Sequence, residues 1–228
     1  RRIRLIRQPK NIGGLANWNA VVSQSKAPLI FRLDDDDYVS PEFLAKTVGF
    51  FKQHPEAGSC YTGYAYTRSY DGMADLSVID RTLFGDKPLV SSSEFLRAFL
   101  LHDPFPGIHP ASVVYRRQLG EKVGFYRREY SDHIFSLALA THAPVGYIPE
   151  ALFFYVQHDE VRASNTPLSE KEIYYDPLNL AQTIYEKGIS CFDQNDFLQE
   201  IRQDVYRQHV KIYSSIELYT VARNYHSR

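Results

Sequence analysis

The chain has 228 residues, 44% of them hydrophobic and 23% charged, so it is long enough to bury one substantial core. Its formal net charge of −1 provides no long-range attraction to nucleic acid, and we expect no nucleic-acid partner. Cys60 and Cys191 lie far apart without a metal-ligand or redox spacing, and no apolar run reaches the roughly 18 residues of a membrane span. We expect a cytoplasmic protein, either free or peripheral at the inner face of a membrane.

Short apolar runs and helical patterns alternate in the first part of the chain. The sequence predicts a strand at 3–6, a turn at 11–14, a helix at 15–22, a strand at 29–33 and a helix from Pro41 to about His54. The run at 29–33 is apolar except for Arg32, which is typical of a parallel strand covered on both faces. The order of elements predicts an α/β fold.

The second part continues this alternation and then becomes helical. The sequence predicts extended segments at 59–70 and 76–79, a helix after the capping box of Ser91 and Glu94, and a strand at 111–115. Helices at 117–123 and from 132 follow, and then strands at 145–148 and 152–156. From about residue 169 the pattern is helical, with a long amphipathic run at 197–225. We therefore divide the chain into an α/β domain at 1–164 and a helical extension at 165–228. We expect the extension to dock on the core, with pairing to another protomer or contact with a membrane surface as alternatives.

Four consecutive aspartates, Asp34 to Asp37, stand between the strand at 29–33 and the helix after Pro41. Four adjacent like charges repel one another, and a bound cation is a natural way to stabilise them. Open α/β sheets bind ligands outside the carboxyl ends of their strands, where carboxylates can hold Mg²⁺ or Mn²⁺ against the phosphates of a nucleotide. A solvated acidic turn and a structural Ca²⁺ loop are the alternatives that the residues alone leave open.

Four landmarks of the sequence resemble family 2 glycosyltransferases of the GT-A fold. They are Asn11-x-Gly13 with Asn19, Leu33-Asp34-x-Asp36-Asp37 with Pro41, Gly124-Phe125 followed by Ser131-Asp132, and Ile148-Pro149-Glu150 with Tyr155-x-x-His158. The resemblance covers roughly residues 3–164 and rests on order and spacing, because each landmark alone is short. It implies a Rossmann-like, mostly parallel sheet flanked by helices.

The resemblance also implies a reaction, in which a sugar passes from a nucleoside diphosphate, most often UDP, to a hydroxyl of a glycan or lipid-linked acceptor with inversion. Asp36 would then bind Mn²⁺ or Mg²⁺ directly, Asp34 would contact the ribose or a metal-bound water, and His158 would add a nitrogen ligand. Asp132 would be the general base; a plain helix cap is the competing role.

Weaker assignments follow from position. Asn11 and Gly13 would shape the turn beside the donor, and His109 lies on a proline-rich loop that in such enzymes borders the acceptor. Trp18, the only tryptophan, is expected in the core rather than under a sugar.

The sequence departs from the family pattern in two places. Family members normally begin with a strand, a helix and a second strand that build the base and ribose pocket, and this sequence starts after them, so we expect a segment upstream of Arg1. Ser131 stands where an acidic residue is commoner. A nucleotidyltransferase that forms sugar nucleotides and a non-catalytic metal-binding or carbohydrate-binding module remain alternatives.

Overall fold

The computed structural model describes residues 3–68, 77–78, 85, 87–92, 94–95, 108–126 and 132–157, with the backbone alone at 77–78 and 132–134. His158 and the predicted helical extension at 165–228 lie outside these ranges. The helices are α1 (Gly14–Gln24), α2 (Phe43–Gln53), α3 (Arg117–Val123) and α4 (Asp132–Ala140). The strands are β1 (Leu29–Phe31), β2 (Tyr38–Val39), β3 (Ser59–Thr67), β4 (Ser77–Val78), β5 (Leu89–Val90), β6 (Val114–Arg116) and β7 (Val145–Val156).

The strands form one sheet with the central order β1-β6-β3-β7-β2, while β4 pairs with β3 and β5 with β7. Helices cover both faces, as expected for an α/β fold. One apolar cluster includes Val22 of α1, Tyr61 of β3, Leu119 of α3 and Phe135 of α4. A second cluster packs α2 against the opposite face of the sheet. Burial on both faces explains why the main strands read as apolar runs.

The expectation of a mostly parallel sheet is wrong for the pairing of the described strands. β3 and β7 pair in parallel over most of their length, but β6 pairs antiparallel with both β1 and β3. As a result β1, β3 and β7 all run in one direction, with β6 inserted in the opposite direction between β1 and β3. Chain order does not reveal this insertion, because β6 follows β1 by more than 80 residues.

Four of the predicted strands differ from the structure. Residues 3–6 form no strand, since they pair with none of the described strands, and Ile3 and Leu5 are almost fully exposed. The predicted strand at 111–115 begins instead as a 3₁₀ turn at Pro110–Ser112, because Pro110 favours a helical start and the Ser112 amide donates to the His109 carbonyl.

The predicted strands at 145–148 and 152–156 are one strand, β7. Its register against β3 shifts on either side of Gly63, where β7 carries Pro149 and Glu150. A Cβ at Gly63 would lie 2.7 Å from the Glu150 carbonyl oxygen, so glycine permits this close approach of the two backbones. The strand therefore continues through a bulge at Pro149, where the sequence had suggested that one strand ends and another begins.

Within the described ranges, no helix is long and apolar enough to cross a membrane.

Candidate functional site

The acidic residues form a tight turn immediately after β1. The Asp37 amide donates to the Asp34 carbonyl at 3.3 Å, which closes a four-residue turn, and β2 follows at once. Since β1, β3 and β7 share one direction, their carboxyl ends lie at the same edge of the sheet. The four aspartates, which we call the acidic turn (Asp34–Asp37), are thus at the edge where α/β sheets bind their ligands.

The four carboxylates of the acidic turn have different surroundings. Asp35 is exposed, Asp34 and Asp36 are half-buried, and Asp37 is buried with 8% of its surface accessible. A side-chain oxygen of Asp34 accepts from Arg32 Nη2 at 3.1 Å. The tetrad is therefore not four equivalent ligands. Asp34 and Asp36 are its two half-buried residues.

Asp37 joins the acidic turn to the end of β7. Its Oδ1 accepts a hydrogen bond from the backbone amide of Val156 at 3.1 Å. Next to this bond, the amide of Gln157 donates to the carbonyl of Thr67 at the end of β3. Asp37 therefore anchors the acidic turn, because a buried carboxylate fixed to β7 also fixes the turn.

The start of α1 explains Asn11 and Gly13. The Asn11 side-chain oxygen accepts from the Gly13 amide at 2.8 Å, an Asx turn that directs the chain into the helix. Gly13 has φ 79° and ψ 157°, a conformation essentially reserved for glycine, and its carbonyl accepts from the amide of Asn17. These two residues build a helix entry, so the described contacts assign them a structural role.

Asn19 ties α1 to the segment after α3. Its amide nitrogen donates to the Tyr126 carbonyl at 2.6 Å, and its oxygen accepts from the Tyr126 amide at 3.3 Å. Gly124 and Phe125, both with positive φ, make the turn that ends α3 and presents the Tyr126 backbone to Asn19. The sequence landmarks at 19 and 124–125 thus meet in space.

Asp132 is the first residue of α4. Phe135, one turn further along the helix, packs on Tyr126 with ring centroids 4.4 Å apart. The contact places the beginning of α4 beside the same aromatic residue that Asn19 holds. The general base predicted from the sequence is therefore on a helix start next to this junction.

His109 occupies an aromatic cluster rather than an open loop. Its ring centroid lies 5.2 Å from Tyr64, 5.2 Å from Phe153 and 5.0 Å from Tyr155. Its Nδ1 accepts from the Ala111 amide at 3.3 Å, which assigns the neutral-ring proton to Nε2. These contacts stabilise the 3₁₀ turn before β6. They give His109, which we expected beside the acceptor, a role in packing.

Metal ligation from the described protein atoms alone is incomplete. No three His, Cys, Asp or Glu side chains converge on one point within the described ranges. The surroundings of the acidic turn explain this, because Asp37 is committed to Val156 and Asp35 is exposed. Two half-buried carboxylates remain, which suits an ion such as Mg²⁺ that is usually bound through one or two carboxylates and the phosphates of a substrate.

Comparison with known families identifies the family of this chain. Residues 1–124, more than half of the chain, match Glycosyl transferase family 2. The chain belongs to glycosyl transferase family 2. No curated protein matches the sequence significantly.

Solved structures agree with the family 2 assignment at the level of fold. A crystal structure of S. aureus TarS, residues 1–349, aligns with a TM-score of 0.59 at 14% identity, covering 91% of this chain and 53% of TarS. TarS 1–349 in complex with UDP-GlcNAc gives 0.57 at 12% identity, with coverages of 86% and 52%. The complex with UDP gives 0.53 at 11%, with coverages of 84% and 48%. The GT-A fold predicted from the sequence is confirmed, and the chain spans about half the length of these structures.

One contact beside the acidic turn of this family 2 chain was not predicted from the sequence. Arg32 lies over the ring of Trp18, with Cζ 4.0 Å from the ring centroid, and pairs with Asp34. The signal was present, because Arg32 is the one charged residue in the apolar run at 29–33. Its partner Trp18 is half-buried and packs against the core, as expected.

Proposed function

We propose that this chain is the catalytic part of a metal-dependent, inverting glycosyltransferase that uses a nucleoside-diphosphate sugar, with UDP as the nucleotide. One observation carries the proposal: in a family 2 chain, the acidic turn lies at the carboxyl ends of three strands of one direction and is anchored there by Asp37. The complexes of TarS with UDP-GlcNAc and UDP support the choice of UDP. A glycan or lipid-linked hydroxyl is the acceptor class that the family resemblance suggests.

Asp36 and Asp34 would hold Mn²⁺ or Mg²⁺ in this proposal. Their number and partial exposure fit an ion whose remaining ligands are donor phosphates and water. When bound, the ion would offset the negative charge that develops on the departing diphosphate. Asp37 keeps both aspartates at the sheet edge, because its own carboxylate is fixed to the Val156 amide.

His158 remains the proposed nitrogen ligand. It lies outside the described residues, but it follows Val156 by two positions, and two residues span at most about 7 Å. The Val156 amide is itself bonded to Asp37 of the acidic turn. That bond, two positions before His158 in the sequence, supports the proposal that an imidazole complements the two carboxylates.

Asp132 is the proposed general base. Asp132 is the first residue of α4, and an aspartate carboxylate in water is ionised at neutral pH. An ionised carboxylate can accept the proton of an attacking hydroxyl. A single base and a donor held on the opposite side would produce direct displacement and inversion.

Calorimetric titration of UDP into the full-length protein, with and without Mn²⁺, tests the proposal. We expect metal-dependent binding that Asp36→Ala abolishes. Asp35→Ala is the matched control, since Asp35 belongs to the same turn but is exposed, and it should bind UDP within about twofold of wild type, a difference below about 0.5 kcal/mol.

Two results would contradict the proposal. UDP binding that ignores both the metal and Asp36→Ala would place the nucleotide elsewhere. A folded protein that binds neither UDP nor another nucleoside diphosphate would instead favour a non-catalytic module. The nucleotidyltransferase alternative has no support from the family match, which is to glycosyl transferases.

A further inference from the structure

Arg32 connects the acidic turn to the core of the protein. Its side chain is only 10% exposed, and its Nη2 donates to Asp34 at 3.1 Å. The guanidinium carbon lies 4.0 Å from the ring centroid of Trp18 and 5.1 Å from that of Tyr126. A guanidinium group is attracted to the faces of aromatic rings and donates in its own plane, so Trp18 and Tyr126 restrict where Arg32 can place its N–H donors.

The aromatic platform under Arg32 is itself fixed. Trp18 belongs to α1 and its neighbour Asn19 holds the Tyr126 backbone by two hydrogen bonds. The two rings lie 5.6 Å apart and tilted by 60°. Tyr126 in turn packs on Phe135 of α4. Arg32 therefore rests on a junction of α1, the turn after α3, and α4, and it transmits that rigid position to one carboxylate of the acidic turn.

We propose that Arg32 is a positioning residue for Asp34, and that the Arg32 clamp (Arg32, Trp18 and Tyr126) holds this carboxylate in the orientation that binds the donor. The inference rests on the proposed function and deepens it. An exposed Arg–Asp pair would stabilise little, because water competes with both ions. Here the cation is largely buried and stacked, so losing it would remove a charge-assisted hydrogen bond that fixes the direction of Asp34.

The first test is UDP titration of Arg32→Gln in the presence of Mn²⁺. We expect affinity to fall roughly tenfold or more, the usual range for losing a hydrogen bond to a charged group. Arg32→Lys should also bind weakly, because an ammonium neither stacks as a plane nor donates through a fork. The lysine variant also keeps the proposal testable if Arg32→Gln does not fold.

Arg116→Gln is the matched control. Arg116 also lies over an aromatic ring, Phe51, at 5.0 Å, and donates to the carbonyls of Ala57 and Pro55. It pairs with Leu29 at the other end of β1, away from the acidic turn. We expect Arg116→Gln to lower the melting temperature but to leave UDP affinity within about twofold of wild type, a difference in binding free energy below about 0.5 kcal/mol. Equal affinity of Arg32→Gln and wild type, or equal losses in both glutamine variants, would overturn the proposal.

A second readout does not depend on nucleotide binding. Trp18 is the only tryptophan of the chain, so its fluorescence reports on the Arg32 clamp. Asp34→Ala should release Arg32 and change both the emission of Trp18 and its quenching by acrylamide, whereas Asp35→Ala should change neither. If the wild-type protein binds no nucleotide, the proposed function fails by itself and this comparison decides the clamp. Identical Trp18 signals in Asp34→Ala and wild type would then overturn it.

Discussion

Replacing glycine by alanine should change the stability of this protein in opposite directions at Gly13 and at Gly49. Gly13 has φ 79° and ψ 157°, which an alanine adopts only with strain, so Gly13→Ala should destabilise the protein by about 1–3 kcal/mol. Gly49 lies inside α2, and an added Cβ would meet nothing within 4 Å. Gly49→Ala should therefore stabilise by about 0.5–1 kcal/mol. Urea unfolding of both variants measures the two signs.

A stabilising Gly13→Ala would contradict the conformation at the entry to α1. Measuring both stability and UDP affinity of Gly13→Ala also distinguishes a structural role of Gly13 from a role in donor binding. If Gly13 serves only the helix entry, Gly13→Ala should lose stability while the folded fraction retains its UDP affinity. This outcome would replace the role beside the donor that the sequence resemblance implies for Asn11 and Gly13.

Residue types alone located the acidic turn, because a run of four aspartates after an apolar strand stands out in the sequence, but they left a metal–phosphate site, a structural Ca²⁺ loop and a solvated turn all open. They did not separate the four carboxylates. Which one is buried, exposed or paired depends on Val156 and Arg32, and Val156 is 119 positions away from Asp37. Pairings of that kind are set by the sheet and not by local sequence.

At the scale of elements, the capping box predicted from Ser91 and Glu94 is confirmed. The Ser91 amide donates to Glu94 Oε2 at 3.0 Å, and the Glu94 amide donates to Ser91 Oγ at 3.3 Å. Glu94 also pairs with Lys87 at 2.7 Å. The hydrogen bond from Lys87, followed by those from Ser91, lowers the pKa of Glu94 from its ordinary 4.5 to about 2.

This pKa predicts a pH dependence with a definite sign. Because the folded-state pKa lies below the unfolded one, ionised Glu94 contributes stability above about pH 4.5 and loses that contribution as the pH falls towards 2. Wild type should exceed Glu94→Gln at pH 6 by less than about 1 kcal/mol, since the pair is exposed and screened. Chemical unfolding at several pH values measures the gap, which should close near pH 2 and shrink in high salt. A pH-independent gap would contradict the assignment.

The elements that local sequence predicted well are those whose signals are local. α1, α2 and α3 lie within a few residues of their expected positions, because helical periodicity and turn residues act over one or two turns. The strand expected at 3–6 failed for the opposite reason. A strand is stable only with a hydrogen-bonded neighbour, and residues 3–6 have none among the described strands.

At the scale of the whole molecule, the proposed function assigns donor binding and sugar transfer to different elements. The acidic turn follows β1, whereas Asp132 begins α4. Asp132→Asn should therefore reduce sugar transfer by about 10²–10⁴-fold, the usual contribution of a general base, while UDP affinity stays within about twofold. Turnover of a UDP-sugar with acceptor and calorimetry with UDP measure the two effects.

The reverse pattern is expected for Asp36→Ala, in which donor binding fails first. Asparagine at position 132 keeps the size and shape of aspartate at the start of α4, so a loss of activity in Asp132→Asn would not be a simple loss of the helix start. Full activity of that variant would remove Asp132 from the catalytic role and leave it as a cap.

The class of fold, the family and the acidic turn could be predicted from residue types and spacing, because these depend on short motifs that occur in a fixed order along the chain. The mixed pairing of the sheet, the bulge of β7 opposite Gly63, the packing of His109 on Phe153, and the position of Arg32 over Trp18 and Tyr126 emerged only from the folded structure. Each of these joins residues far apart in sequence. Their energy comes from packing and hydrogen bonds across the sheet, which no local pattern of residues encodes.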